Sequence, residues 1–153
     1  KDYGLLKIVT LSLLWTLVTV WFPVNTLPVN SLLFMFVFVK RFVFMFILCL
    51  LFDVRDMEID RRENIKTLAV ILGKRKCYTL SYVLLLLFLA IAFLQYLFVP
   101  QLSFFVAMVI SSLITFFVIE RTKKSNSDFI YLAGIDGMML LQALLVYLFS
   151  LNL

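Results

Sequence analysis

The chain has 153 residues, 64% of them hydrophobic, and its formal net charge is +5. A mean hydropathy of +1.09 excludes a water-soluble domain, because only a chain that has the lipid bilayer as its solvent needs so much apolar surface. Histidine is absent, which excludes histidine-based acid–base catalysis and histidine metal ligands. Cys49 falls in an apolar segment and Cys77 at a basic helix start, so we expect neither a disulfide nor a cysteine metal site.

Five apolar segments follow one another along the chain, at about residues 5–22, 30–52, 77–98, 102–119 and 129–150. Each is close to the length of about 20 residues that crosses a bilayer as a helix. Strands are excluded because the segments lack alternation and an open sheet leaves backbone groups unsatisfied in lipid. We therefore predict an all-α membrane protein whose five transmembrane helices form a single domain over residues 1–153. Its surroundings are membrane lipids, and no nucleic-acid partner is expected.

The connections between these segments alternate in charge. Those at 23–28 and 99–101 carry no charged residue, whereas those at 53–76 and 121–128 carry several lysines and arginines. Because cationic connections stay on the cytoplasmic side of a membrane, we expect both of the latter to be cytoplasmic, together with the N-terminus. The C-terminus is then expected on the far side.

The loop predicted at 53–76 opens with a run of mixed charge, residues 53–64, which holds more than half of the acidic residues. If the preceding helix continues into this run, Asp53, Asp56 and Asp60 fall at i, i+3 and i+7, on one helix face. Three carboxylates on one face are explained most simply by a divalent cation, and oxygen ligands favour Mg²⁺, Mn²⁺ or Ca²⁺. Several neighbouring cations are suited to the oxygens of a metal-bound phosphate ester, namely Arg55, Arg61, Arg62 and Lys66. The alternative is a solvated loop whose carboxylates form surface salt bridges with its own arginines.

The residues 53–60, Asp-Val-Arg-Asp-Met-Glu-Ile-Asp, are followed at 65–74 by Ile-Lys-Thr-Leu-Ala-Val-Ile-Leu-Gly-Lys. Together they resemble the second aspartate-rich motif of the UbiA superfamily of intramembrane prenyltransferases, D-x-x-D-x-E-G-D followed by G-I-K-T-L-P-V-x-x-G. The five segments are also similar to the second half of that nine-helix fold. The resemblance places the motif in the cytoplasmic loop between the sixth and seventh helices of the family.

The resemblance implies Mg²⁺-dependent transfer of an isoprenoid from its diphosphate to a lipophilic acceptor, often an aromatic precursor in quinone biosynthesis. Carried over by position, Asp53, Asp56 and Asp60 would be the catalytic metal ligands. Lys66 and a neighbouring arginine, Arg55 or Arg61, would contact the diphosphate of the substrate.

Three positions depart from the family pattern. Ile59 replaces a glycine and puts a β-branched side chain where close backbone approach is possible; Ala69 replaces a proline. Asn64 also replaces a glycine, which is tolerable because asparagine visits left-handed conformations more readily than most residues. The family's first aspartate-rich motif, N-x-x-x-D-x-x-x-D, has no counterpart, so we expect the chain to be part of a longer protein. The alternative is a non-catalytic UbiA-like membrane subunit that packs against a partner membrane complex.

Lys40 and Arg41 lie about 12 residues before Asp53, which places them roughly 18 Å along the helix from the aspartates. A charge at that depth must face the protein interior, water or a partner. Three explanations are open: snorkelling from a tilted or broken helix, a structural ion pair with Asp136, or the lining of a polar cavity. In the last case Arg41 would contact a substrate head group, and we include it among the candidate substrate-binding residues.

Overall fold

The computed structural model describes residues 4–24, 30–124 and 130–150. These residues form helices and short connections, and no strand occurs within the described ranges. The all-α class is therefore confirmed. The chain packs as two compact units, residues 1–88 and 89–153.

Four helices are long and apolar enough to cross a membrane, and a shorter apolar helix follows them. The four are Gly4–Trp21, Ser31–Arg62, Lys74–Phe98 and Leu102–Lys124, and the shorter one is Ala133–Phe149. Each overlaps one of the five predicted segments. Large apolar side chains such as Leu86, Phe117 and Leu140 are exposed on these helices, as expected of surfaces that meet lipid. The chain is an integral membrane protein.

In the first unit, helix α1 (Gly4–Thr16) continues through a π-helical turn (Leu17–Trp21) into the short helix α2 (Phe22–Val24). Helix α1 packs along helix α3 (Ser31–Arg62). Ile8 of α1 and Phe44 of α3 are fully buried.

Helix α3 begins where the side chain of Asn30 accepts a hydrogen bond from the backbone N–H of Leu32, at 2.9 Å. The helix has 32 residues and is therefore about 48 Å long, whereas the hydrocarbon core of a bilayer is about 30 Å thick. It does not end near residue 52 but continues through all three aspartates. Most of the expected loop 53–76 is thus helical, since α4 (Leu68–Leu72) and the start of α5 (Lys74–Phe98) also lie in it.

Helix α3 ends in a Schellman motif. The N–H of Ile65 donates to the carbonyl of Asp60 at 2.8 Å, and the N–H of Asn64 donates to that of Arg61 at 3.3 Å. Asn64 has a φ of 57°, the left-handed conformation that the motif requires. The chain then turns into α4, where the hydroxyl of Thr67 accepts a hydrogen bond from the N–H of Val70. This turn fixes the position of the segment that follows Asp60.

In the second unit, helix α6 (Leu102–Lys124) packs against helix α7 (Gly137–Ser150) and the π-helical segment Ile130–Asp136 before it. Polar contacts join these elements. The hydroxyl of Tyr131 donates to the carbonyl of Thr122 at 3.4 Å, and the amide of Gln142 lies 3.9 Å from the sulfur of Met108. Such contacts between apolar helices are typical of membrane bundles.

Candidate functional site

The three aspartates lie on the C-terminal part of α3, as their spacing predicts for a continued helix. Asp53 and Asp60 are buried, at 4% and 8% exposure, whereas Asp56 is half-exposed. Asp53 interacts electrostatically with the carboxylates of both Asp56 and Asp60. The helix therefore concentrates negative charge on one side of its end, and two of the three carboxylates are withdrawn from solvent.

Asp53 is paired with Lys7 of helix α1. The Nζ atom of Lys7 donates to Oδ1 of Asp53 at 3.3 Å. The sequence pattern did not identify Lys7 as a site residue, although one signal was present. A lone cation in an apolar segment requires a partner, and a buried carboxylate on the next helix supplies one.

Two carboxylate oxygens in this cluster are buried without a hydrogen-bond partner among the described residues, Oδ2 of Asp53 and Oδ2 of Asp60. An unsatisfied buried carboxylate oxygen is costly, and a hard divalent cation is the ligand that suits it. In this respect the donor set fits Mg²⁺.

The helical geometry limits how these oxygens could share an ion. Seven residues rise by about 10.5 Å along a helix, and Mg²⁺–oxygen distances are about 2.1 Å, so Asp53 and Asp60 would share an ion only with both side chains fully extended towards it. Within the part of the chain that the structure describes, no three acidic or cysteine side chains converge on a single metal position. Asp56, between the two, would have to complete the set with one or both neighbours.

Asp56 is instead held by the adjacent arginine. The Nε of Arg55 lies 2.7 Å from Oδ1 of Asp56, and the Nη2 lies 3.0 Å from Oδ2. The guanidinium of Arg55 also stacks over the ring of Phe52, 5.2 Å from its centroid. Arg55, a predicted diphosphate contact, thus lies beside the aspartates and neutralises one of them.

The other predicted diphosphate contacts lie at the exposed end of the cluster. Arg61 is exposed and lies 3.8 Å from the carboxylate of Glu58, one turn earlier. Lys66 is exposed in the connection between α3 and α4, whose backbone is packed against Gly4. Both are cations close to Asp60 in the chain.

Arg41 lies apart from this cluster. Its Nε donates to the hydroxyl of Thr19 at 3.1 Å, and that hydroxyl donates to the carbonyl of Trp15 at 2.7 Å. Thr19 belongs to the π-helical turn after α1, and sequence reasoning did not select it. Asp136, the partner considered for Arg41, belongs to the second unit, so that ion pair stays a prediction.

Two departures from the family motif find an explanation in local geometry. Asn64 adopts a left-handed conformation, with a φ of 57°, which explains why asparagine can replace the glycine of the family there. Ile59 lies within α3 and is 57% exposed, so its branched side chain does not crowd the backbone of a neighbouring helix.

The fold and this cluster define an integral membrane protein with an acidic site at the end of a long helix. Residues 1–147 match the UbiA prenyltransferase family, and the chain belongs to that family. No curated protein and no solved structure matches the chain significantly. Membership implies activity of the prenyltransferase type, in which a prenyl diphosphate and a lipophilic acceptor are the substrates and Mg²⁺ is generally used.

Proposed function

We propose that this chain contributes the second aspartate site of a Mg²⁺-dependent prenyltransferase, which transfers an isoprenoid from its diphosphate to a lipophilic, aromatic acceptor. The observation that carries the proposal is the pair of buried oxygens on Asp53 and Asp60 that no described residue satisfies. A buried carboxylate oxygen that no cation of the described chain satisfies is costly, and a bound divalent cation would satisfy it.

The acidic and basic residues of the site have different roles in this proposal. Asp53, Asp56 and Asp60 supply anionic oxygens for metal, and the exposed cations Arg61 and Lys66 supply donors for phosphate oxygens. Mg²⁺, when bound, would stabilise the charge that develops on the departing diphosphate. The carbon–oxygen bond of the prenyl diphosphate breaks, the diphosphate leaves with the electron pair, and the acceptor forms the new bond and loses a proton. No covalent nucleophile from the protein is needed, which suits a chain without histidine.

The charge of Arg55 opposes a metal ion at Asp56, although each oxygen of the carboxylate keeps a further acceptor position. In the structure both oxygens accept hydrogen bonds from the guanidinium. A diphosphate is a better partner for that guanidinium than a single carboxylate, since it offers more anionic oxygens in a bidentate arrangement. We propose that substrate takes Arg55 from Asp56 and thereby frees Asp56 to bind metal between its neighbours.

The test is binding of a non-reactive prenyl thiodiphosphate to the intact protein in nanodiscs, with Mg²⁺ or with EDTA. Asp60→Asn and Asp56→Asn should abolish the Mg²⁺-dependent part of binding while the protein still inserts and folds. Glu63→Gln is the matched control, because it removes an exposed negative charge next to the cluster. Equal binding by the wild type and all three variants would contradict the proposal.

A second function, a non-catalytic membrane subunit, is favoured by one observation. Asp53 and Asp56 each have a cation of the chain itself as partner, as in a purely structural cluster. On this hypothesis the intact wild type binds no prenyl diphosphate with or without Mg²⁺ and is isolated with a partner membrane complex.

A further inference from the structure

We propose that Lys7 is a positioning residue, which holds one oxygen of Asp53 so that the other is presented to metal. This inference rests on the proposed function and assigns a role to a residue outside the aspartate motif. It follows from how the two oxygens of one carboxylate differ in their surroundings.

The two oxygens of the Asp53 carboxylate have different surroundings. Oδ1 accepts the hydrogen bond from Lys7, whereas Oδ2 is buried and has no partner within the described residues. The side chain of Asp53 is 6% exposed and that of Lys7 is 55% exposed. The ammonium therefore approaches from the solvent side and fixes the rotation of a carboxylate that is otherwise enclosed. Ligating carboxylates are commonly oriented in this way by an outer hydrogen-bond partner.

A separate contact fixes the start of the helix that carries Lys7. A Cβ atom on Gly4 would collide with the carbonyl oxygen of Lys66 and would lie 2.6 Å from Cα of Thr67. Only glycine permits this approach, so the first turn of α1 is packed against the connection between α3 and α4. Lys7 lies one turn further along α1. The helix thus contacts the chain beyond Asp60 through Gly4 and reaches Asp53 through Lys7.

Two other roles for Lys7 predict a different effect of its removal on metal binding. If Lys7 merely competed with metal for Asp53, its removal would strengthen metal binding, because a nearby positive charge would be lost. If Lys7 contacted only the diphosphate, its removal would leave metal binding unchanged when no diphosphate is present. A positioning role predicts weaker metal binding despite the loss of a repelling charge.

The experiment measures Mn²⁺ binding to the intact protein in nanodiscs by electron paramagnetic resonance, with and without a prenyl thiodiphosphate. Lys7→Met should weaken Mn²⁺ binding about 10- to 100-fold, the usual cost of losing an outer partner of a metal ligand. Lys7→Arg, which keeps the charge and the hydrogen bond, should restore most of it. In an Asp53→Asn background, Lys7→Met should have little further effect. Lys76→Met is the control, because it removes the same charge from an exposed position in the first turn of α5.

Lys7→Leu, which also lacks a hydrogen-bond donor, provides the same test should Lys7→Met fail to fold. Unchanged or tighter Mn²⁺ binding in folded Lys7→Met or Lys7→Leu protein would overturn the positioning role and leave the proposed function standing. Absence of Mn²⁺ binding in the wild type, with and without the diphosphate, would overturn both.

Discussion

Asp53 and Asp60 lie two turns apart on α3, and each buries one carboxylate oxygen that no other described residue satisfies. These oxygens therefore lower the stability of the protein without metal and favour the binding of a cation. Enclosing a carboxylate without a partner costs free energy, and a bound cation would return it.

The first prediction follows from that balance. In EDTA, Asp60→Asn should raise the free energy of unfolding by about 1 kcal/mol, because an amide is less costly to bury than a carboxylate. Mg²⁺ should raise the melting temperature of the wild type more than that of the variant. Thermal melts in detergent with and without Mg²⁺ measure both effects. Glu58→Gln, at an exposed position of the same helix, should keep the full response to Mg²⁺. An equal response in Asp60→Asn would show that Asp60 is not a ligand.

The second prediction compares two glycines. Gly4→Ala should destabilise the first unit by roughly 1–3 kcal/mol, because its Cβ would collide with the backbone of Lys66 and Thr67. Gly137→Ala should be neutral or stabilising by about 0.5–1 kcal/mol, since no atom of the described chain outside its own helix backbone and chain neighbours lies within 4 Å of its added Cβ and alanine favours the helix. Denaturant unfolding of both variants is the measurement. Similar effects at the two sites would contradict the close packing of Gly4.

Much of this architecture is readable from local sequence. Uninterrupted apolar segments predict the helices, and the i, i+3, i+7 spacing predicts one aspartate face once α3 is known to continue. The Schellman motif at Asn64 is also a local matter, because one residue must adopt a left-handed conformation and asparagine tolerates it. The motif therefore predicts that the aspartates share a face, whereas the end of α3 at Arg62 departs from the loop expected from residue 53 onwards.

The partners of the charged residues are a different matter. Lys7 and Asp53 are 46 positions apart, and Thr19 and Arg41 are 22 apart, so their contacts depend on the register in which α1 packs along α3. No local pattern encodes that register. Several cations lie near Asp56 in the sequence, and spacing alone does not predict that its side chain turns towards Arg55.

The third prediction concerns the orientation of the chain in the membrane. In a background of Cys49→Ala and Cys77→Ala, a cysteine at Gln101 should react with a membrane-impermeant maleimide added outside the cell. A cysteine at Asn64 should react only after the membrane is permeabilised, because the cationic connection stays in the cytoplasm. Probes at Thr26 and Ser125, which lie outside the described residues, should follow Gln101 and Asn64 respectively. Equal labelling at all four positions would contradict the proposed topology.

The last prediction tests the contact between Thr19 and Arg41. Thr19→Val removes the acceptor that lies 3.1 Å from Nε of the half-buried guanidinium, at nearly constant side-chain volume. The variant should lose about 0.5–2 kcal/mol of stability, the range of such hydrogen bonds between membrane helices. Thr19→Ser keeps the hydroxyl and should lose much less. In an Arg41→Met background, Thr19→Val should cost little, because the donor is already absent. The measurement is unfolding by denaturant in micelles for the four proteins of this cycle. If Thr19→Val costs the same with and without Arg41, the hydroxyl serves only the carbonyl of Trp15, and Arg41 is held by other partners.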